Sequence, residues 1–417
     1  MSVALTPDME PVEEFRARAR VWLRDNMPPD GNGMGRRTEP GGWKQERALQ
    51  RRLWDGGFAG ICFPVEYGGL GLSREHQRAF TEESLAYDMP YAINVPTLGI
   101  LAATLIDHGT PEQKRRHLPR ILMGEELWVQ FLSEPSGGSD LAGCLTRADR
   151  DGDVFVLNGS KIWSSGAADA DYAMCLARTN WDVPKHRGLT MFIVEIHQPG
   201  ITVEQIRQVD GSMEFCQEFF DDVLIPASDV VGDVDDGWTV ASRLLVHERL
   251  AVGGGSPYTS GRSGGHDADD GTVLVEIVRS QGREQDPLAR QLLAEAHARR
   301  LVHRALNARL TQGMASGAMP PPTGAIMKLF AATNVMRRAE IGLELAGPGA
   351  AVWPAAEELP TGAQVGTFTL GRQGMSLGGG SNEMQRNIIS ERVLGLPREM
   401  AADREIPYRE VRRSGGR

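Results

Sequence analysis

The chain has 417 residues, enough to bury a large core in roughly two or three domains. Its 45 basic and 55 acidic side chains give a formal charge of −10, which argues against a nucleic-acid partner or an anionic membrane surface. At 41% hydrophobic and 24% charged residues the composition is that of a globular protein, and no apolar run approaches the length that a membrane span needs.

The opening "MSVALTPDMEPVEEF" has neither a basic n-region nor an apolar h-region, so no signal peptide is expected. "VEEFRARARVWLRDN" and "WKQERALQRRLWDGG" read as helices, with breaks at "FPVEYGGLGLS" and "HGTPEQKRRHLPRIL". A helical first domain is therefore expected over residues 1–126. From 127 to 236 the pattern changes. "VFVLNGSKIW", "DYAMCLART", "LTMFIVEIH", "ITVEQIRQV" and "EFFDDVLIP" are short and rich in branched or aromatic residues, which predicts an antiparallel β domain. Over residues 237–400 the helical pattern returns in "QDPLARQLLAEAHARRLVHRALNARLTQG", "AIMKLFAATNVMRRAEIGLELAG" and "SNEMQRNIISERVLG". Between them "GSPYTSGRSGGHDADDG" is glycine-rich and polar, as a mobile surface loop would be. Residues 401–417 form a tail whose end, "REVRRSGGR", is expected to fray. The fold class is α+β.

Cys62, Cys144, Cys175 and Cys216 are scattered and form no CxxC, which suits reduced thiols in a cytosol. The nine histidines form no HExxH, so no metal site is expected. GxSxG occurs as "GRSGG" (261–265) and "GMSLG" (374–378), but a nucleophile elbow needs a buried strand before the serine and a helix after it. Neither copy has that setting. No Walker A and no GxGxxG opening a βαβ unit is present.

Three stretches remain. In "GGGSNEMQRNIISERVLG" (378–395) Ser381 is placed to cap a helix, and the stretch is either an anion site or a plain glycine loop before a core helix. "SEPSGGSD" (133–140) reads as a turn. In "SKIWSSG" (160–166) Trp163 either packs in a core or offers its ring to a flat ligand. In "TVASRLLVHERLAVGGG" (239–255), at about 100° per residue, Ala241, Leu244, Leu245, Glu248 and Val252 share one face. Glu248 is either a carboxylate with a job in an apolar site, or one paired with a buried arginine, or one turned to solvent.

Taken in order, "FPVEYGGLGLS", "FLSEPSGGSD", "NGSKIWSSG", "FFDDVLIP" and "GGGSNEMQRNIISERVLG" resemble the acyl-CoA dehydrogenases from about Pro11 to Arg398. The resemblance implies an N-terminal α domain, a barrel-like middle β domain and a C-terminal four-helix bundle. It implies FAD, an acyl-CoA thioester substrate and an electron-transfer flavoprotein as acceptor. The expected setting is cytoplasmic, in a homo- or hetero-oligomer that is a dimer or dimer of dimers. It places Gln130, Leu132 and Ser133 along the flavin ring, Trp163 on its face and Ser165 near it. Ser139 falls beside the cofactor and the CoA chain, and Arg249 on the acyl-CoA. Arg283 loosely matches an arginine that reaches the FAD phosphates of a neighbouring subunit, and Ser381 and Glu383 fall where the family touches FAD again.

Two departures stand out. The usual catalytic glutamate position holds Gly379, and a glutamine position at the subunit seam holds Leu343. A branch resembling isovaleryl-CoA dehydrogenase and the actinobacterial steroid side-chain enzymes carries its base in an "ER" pair on the first helix of the C-terminal domain. Here that pair is Glu248-Arg249. A carboxylate drawn into an apolar site gains proton affinity, which suits a base working near neutrality. Gly379 retains a backbone N–H for the thioester oxygen, and its missing side chain makes room for a branched or bulky acyl group. Two other readings are a non-catalytic subunit of a heteromeric dehydrogenase and a flavin monooxygenase on the same scaffold.

Overall fold

The computed structural model describes residues 9–29, 42–252, 256–259, 271–352 and 361–411. They form two compact units, one holding the first 207 residues, 212–264 and 401–417, the other 208–211 and 265–400.

The first unit opens with helices α1 (Val12–Asn26), α2 (Gly42–Asp55), α3 (Arg74–Ser84), α4 (Tyr91–Ile93), α5 (Ala103–His108) and α6 (Pro111–Leu122). Between α4 and α5 the chain passes Pro96, which has no N–H, in a π-wound stretch, Asn94–Ala102. The sequence T-P-E-Q starts α6 with a capping box. Thr110 Oγ1 accepts from the Gln113 N–H at 3.2 Å, and Gln113 Oε1 accepts from the Thr110 N–H at 3.0 Å. The Gln113 amide nitrogen then donates to the carbonyls of Ser228 and Val230, tying α6 to the sheet.

The eight-stranded sheet comprises β1 (Trp128–Phe131), β2 (Arg147–Asp151), β3 (Val154–Ser165), β4 (Tyr172–Arg178), β5 (Leu189–Glu195), β6 (Ile201–Gln205), β7 (Phe215–Pro226) and β8 (Val230–Val231). Its order is β6-β7-β3-β2-β4-β5-β8, with β1 on β4. The sheet is mainly antiparallel, as expected, with two parallel pairings. β1 pairs parallel to β4, and β2 meets β4 in a parallel bridge, Arg147 to Arg178. Burial follows the sequence pattern: β4 and β5, with branched and apolar residues on both faces, are buried almost throughout.

The β3–β7 ladder carries two compensating irregularities. Around Asp222, which has a φ of 48°, β7 holds one extra residue, and Asn158 exchanges two hydrogen bonds with Asp222 across it. At Trp163, with a φ of 68°, β3 holds the extra residue, and the original register resumes at Ser164 and Cys216.

Helix α7 (Gly237–Val252) also packs within this unit, against the π-wound stretch, α5 and β5. Its buried face is Val240, Ala241, Leu244, His247 and Ala251. The expected stripe is therefore rotated. Leu245 and Glu248 are half-buried at its margin, and Val252 is exposed. The expected mobile loop also begins differently: Ser256 and Thr259 are buried, Tyr258 meets Phe63 edge-on, and the Thr259 carbonyl accepts from Gln77. The remainder of that loop, with the serine of "GRSGG", lies outside the described residues. The chain docks up to the start of the stretch expected to fray. The Tyr408 and Arg409 amides donate to the carbonyls of Val183 and Trp181, and Tyr408 lies under the Arg178 guanidinium. Residues 412–417 lie outside the described residues.

The second unit contains α8 (Thr272–Ser280), α9 (Pro287–Ala315), α10 (Gly324–Ala346), α11 (Thr361–Gly371), α12 (Gly374–Leu377) and α13 (Asn382–Ile388). Leu274, Ile277, Leu292, Ile341, Leu345 and Val365 form its core, and Arg337 of α10 grips Glu295 of α9 in a two-pronged ion pair. The segment "TFTLG", a poor strand by sequence, belongs to α11, and Ser376 of "GMSLG" sits in the four-residue α12. No helix among the described residues is long and apolar enough to cross a membrane.

Candidate active site

In the first unit, the residues that the resemblance places along the flavin ring converge through the backbone. The Ile162 N–H donates to the Ser133 carbonyl at 2.9 Å, so the end of β1 is tied to the residue just before Trp163. The Leu132 carbonyl accepts from Lys161 Nζ at 3.0 Å. Gln130, Leu132 and Ser133 are all half-buried. A side chain at Gly138 would come within 3.2 Å of Ser133 Oγ, so glycine keeps that hydroxyl uncrowded. Ser139 is exposed on the turn beyond.

Trp163 is 55% exposed and meets Phe215 edge-on. A left-handed conformation is uncommon for a bulky residue, and here it coincides with the bulge that turns the indole out of the sheet. Ser165 is half-buried, and the next residue must be glycine: at a φ of 74°, a Cβ on Gly166 would strike the Trp43 ring.

Under this surface lies a cluster that reading the sequence missed. Lys161 is fully buried, and its three donor hydrogens go to Glu134 Oε1 (2.9 Å), the Leu132 carbonyl and Cys144 Sγ. Glu134 also accepts from the backbone N–H groups of Leu145 and Thr146 and from the Cys144 thiol. Burial pushes its carboxyl up, but the Lys161 charge and these hydrogen bonds outweigh that and bring it down to about 2. Opposite Lys161 in the β3–β7 register is Glu218, also fully buried, bonded by the Ser164 hydroxyl at Oε1 and, among the described residues, with no hydrogen-bond partner at Oε2. Burial raises Glu218 to about 7. A lysine at an inward position of a predicted strand was the available signal.

Beside Glu248, the buried His247 ring places Nε2 2.8 Å from Asp107 Oδ2, and Arg243 Nε contacts the same oxygen. This pins α7 to α5 and sets its rotation. Burial lowers the His247 proton affinity despite Asp107. Glu248 is half-buried and Arg249 exposed.

In the second unit, Gly379 and Gly380 have φ values of 69° and 92°, and both their carbonyls accept from Gln385 Nε2. Ser381 caps α13 as its spacing predicts, accepting from the Met384 N–H at 3.3 Å. Glu383 is exposed and paired with Arg386. Arg283 is held between α8 and α9 by Asp286, Gln281 and the Leu345 carbonyl. Leu343 is half-buried. Among the described residues no cluster of three metal-ligating side chains occurs.

A helical domain, a strand domain whose bulge displays a tryptophan, and a second helical domain follow one another in the order in which three domain models of one family match the chain. Family models for the acyl-CoA dehydrogenase N-terminal, middle and C-terminal domains match residues 9–125, 130–223 and 235–394. The chain is 38% identical to acyl-CoA dehydrogenase IpdE1 of Mycobacterium tuberculosis, covering 94% of this chain and 99% of that one. It is 30% identical to mitochondrial isovaleryl-CoA dehydrogenase of Pongo abelii over 59% of this chain and 58% of that protein. A solved structure titled Tcur3481-Tcur3483 steroid ACAD superposes with a TM-score of 0.76 at 28% identity, covering 94% of this chain and 99% of that chain. The chain belongs to the acyl-CoA dehydrogenase family, and its cofactor is FAD. The uncrowded Ser133 hydroxyl and the outward Trp163 ring fit an isoalloxazine.

Proposed function

We propose that the chain oxidises a branched or bulky acyl-CoA between Cα and Cβ, with Glu248 as the base that removes the α-proton. The observation that supports this most is a carboxylate at the half-buried margin of α7 in a chain whose position 379 is a glycine. Glycine supplies no proton acceptor, and Glu248 lies on a helix whose rotation the Asp107–Arg243–His247 contacts hold. Bound FAD would supply the two-electron acceptor for the hydride that leaves Cβ. Ser133, Trp163 and Ser165 would orient its ring, and the Gly379 N–H would donate to the thioester oxygen as enolate charge develops. Arg249 and Ser139 would hold the CoA portion. Arg283, Ser381 and Glu383 are proposed for FAD contacts away from the ring. Electrons would pass to an electron-transfer flavoprotein in the cytoplasm.

The test is anaerobic flavin reduction with a panel of acyl-CoA thioesters. Bulky substrates should reduce the flavin faster than straight-chain ones. Glu248→Gln should retain flavin and slow reduction by roughly 10² or more, the scale of a lost general base. Wild-type reduction rates in that variant would rule Glu248 out. A second reading, a partner subunit of a heteromeric enzyme, is favoured by Leu343 at the seam position and by the similarity to the Tcur3481-Tcur3483 steroid ACAD, whose name joins two components. It would be supported if the chain alone held no FAD and gained it with a second chain.

A further inference from the structure

In the last part of β3, beyond Phe155 and Leu157, the buried side chains are Lys161 and Ser164, three residues apart. Regular alternation would have turned Trp163 inward, because successive strand residues face opposite sides. The extra residue at Trp163 shifts the phase, so that Ser164 points in and the indole points out. Inside, the Ser164 hydroxyl meets Glu218, whose position an inward Trp163 would contest. Glu218 is buried and, among the described residues, has no other side-chain partner for Oε1 and no hydrogen-bond partner at Oε2. Lys161, its cross-strand neighbour, directs all three donors elsewhere.

We propose that Glu218 is a positioning residue: through Ser164 it holds the β3 bulge that presents Trp163 on the outer surface. The consequence for FAD rests on the proposed flavin role of Trp163; the consequence for the indole does not. The hydroxyl is the donor, so either protonation state of Glu218 accepts it. The ionised state leaves a buried carboxylate oxygen without a donor, a costly arrangement. That cost falls on the stability of the fold and not on the bulge, because the ionised carboxylate is the stronger acceptor of the Ser164 hydroxyl. The titratable groups around Glu218 are Lys161 on β3, Cys216 on β7, Cys175 on β4, and Glu134, which Lys161 neutralises. Both buried thiols are pushed above their ordinary range by burial, so neither ionises near neutrality.

The experiment uses the full-length chain and two readouts. Acrylamide quenching of Trp163, taken as wild type minus Trp163→Phe with flavin stripped, reports the indole directly. The FAD dissociation rate reports the loaded protein. Ser164→Ala and Glu218→Leu should lower Trp163 quenching about twofold as the indole turns inward, and should speed FAD loss up to about tenfold as its stacking is lost. Glu218→Gln accepts the same hydrogen bond and should match wild type at pH 6. Between pH 6 and pH 8.5 the wild type should keep its quenching, because both protonation states of Glu218 accept from Ser164. Unchanged quenching in Ser164→Ala overturns the proposal, as does Glu218→Gln behaving like Glu218→Leu, which would make the effect one of packing. If Glu218→Leu fails to fold, Ser164→Ala and Glu218→Gln decide alone. If the chain alone holds no FAD, the quenching result, which needs none, judges this proposal by itself.

Discussion

Glu134 and Glu218 are two buried carboxylates on either side of one buried lysine, and they differ in nearly every electrostatic respect. Glu134 collects Lys161, two backbone N–H groups and a thiol, and titrates at about 2. Glu218 collects one serine hydroxyl and titrates at about 7. Burial pushes both carboxyls up, so the difference lies in the donors. A lysine has three hydrogens to give, and here none is given to Glu218. The two carboxylates also serve different geometry. The Glu134–Lys161 pair holds the end of β1 beside Ser133, while Glu218 meets Ser164 behind the bulge that carries Trp163.

The largest test of this contrast is Lys161→Met. It leaves Glu134 buried without its cation and should cost about 3–5 kcal/mol in denaturant unfolding, the usual result of breaking a buried pair from one side. A cost under about 1 kcal/mol would mean that the backbone donors alone satisfy Glu134.

Next in size are the opposed pH slopes. The folded state holds the Glu218 proton more tightly than the unfolded chain, so between about pH 4.5 and 7 it binds more protons. Its contribution is present below the unfolded value and is lost as pH rises, by about 3 kcal/mol across the window. Glu218→Gln should remove that slope, and the variant should gain stability relative to wild type from pH 4.5 to 7. Glu134 has the opposite sign. Its contribution is full above about pH 4.5 and is lost as pH falls toward 2, so Glu134→Gln should flatten the acid limb. Parallel pH–stability curves for wild type and both variants would erase the distinction.

The smallest effect belongs to the other bulge. Asn158→Ala removes two exposed hydrogen bonds to Asp222 and should cost about 1 kcal/mol with Trp163 undisturbed. A change in Trp163 quenching in Asn158→Ala would show that the two bulges act as one device.

Much of this molecule is written in local pattern. The 3.6-residue period marked α1, α2, α9 and α10, runs of branched residues marked β3 to β7, and the spacing after three glycines marked the Ser381 cap. Each depends on neighbours a few residues apart, so sequence alone determines it. The motifs that carry the family resemblance are equally local, which is why the family and its flavin were legible before any coordinates. What failed to show was everything that depends on distant chain segments meeting. The parallel seat of β1 on β4 joins residues more than forty positions apart. The rotation of α7, which brings His247 inward and leaves Glu248 at the margin, is set by Asp107 on another helix. The phase of β3 at Trp163 depends on what β7 places opposite it. An alternating strand can be read from its own residues, but a shift of one residue in that alternation costs backbone strain, and only the tertiary contacts across the sheet, Ser164 to Glu218 among them, hold it in place.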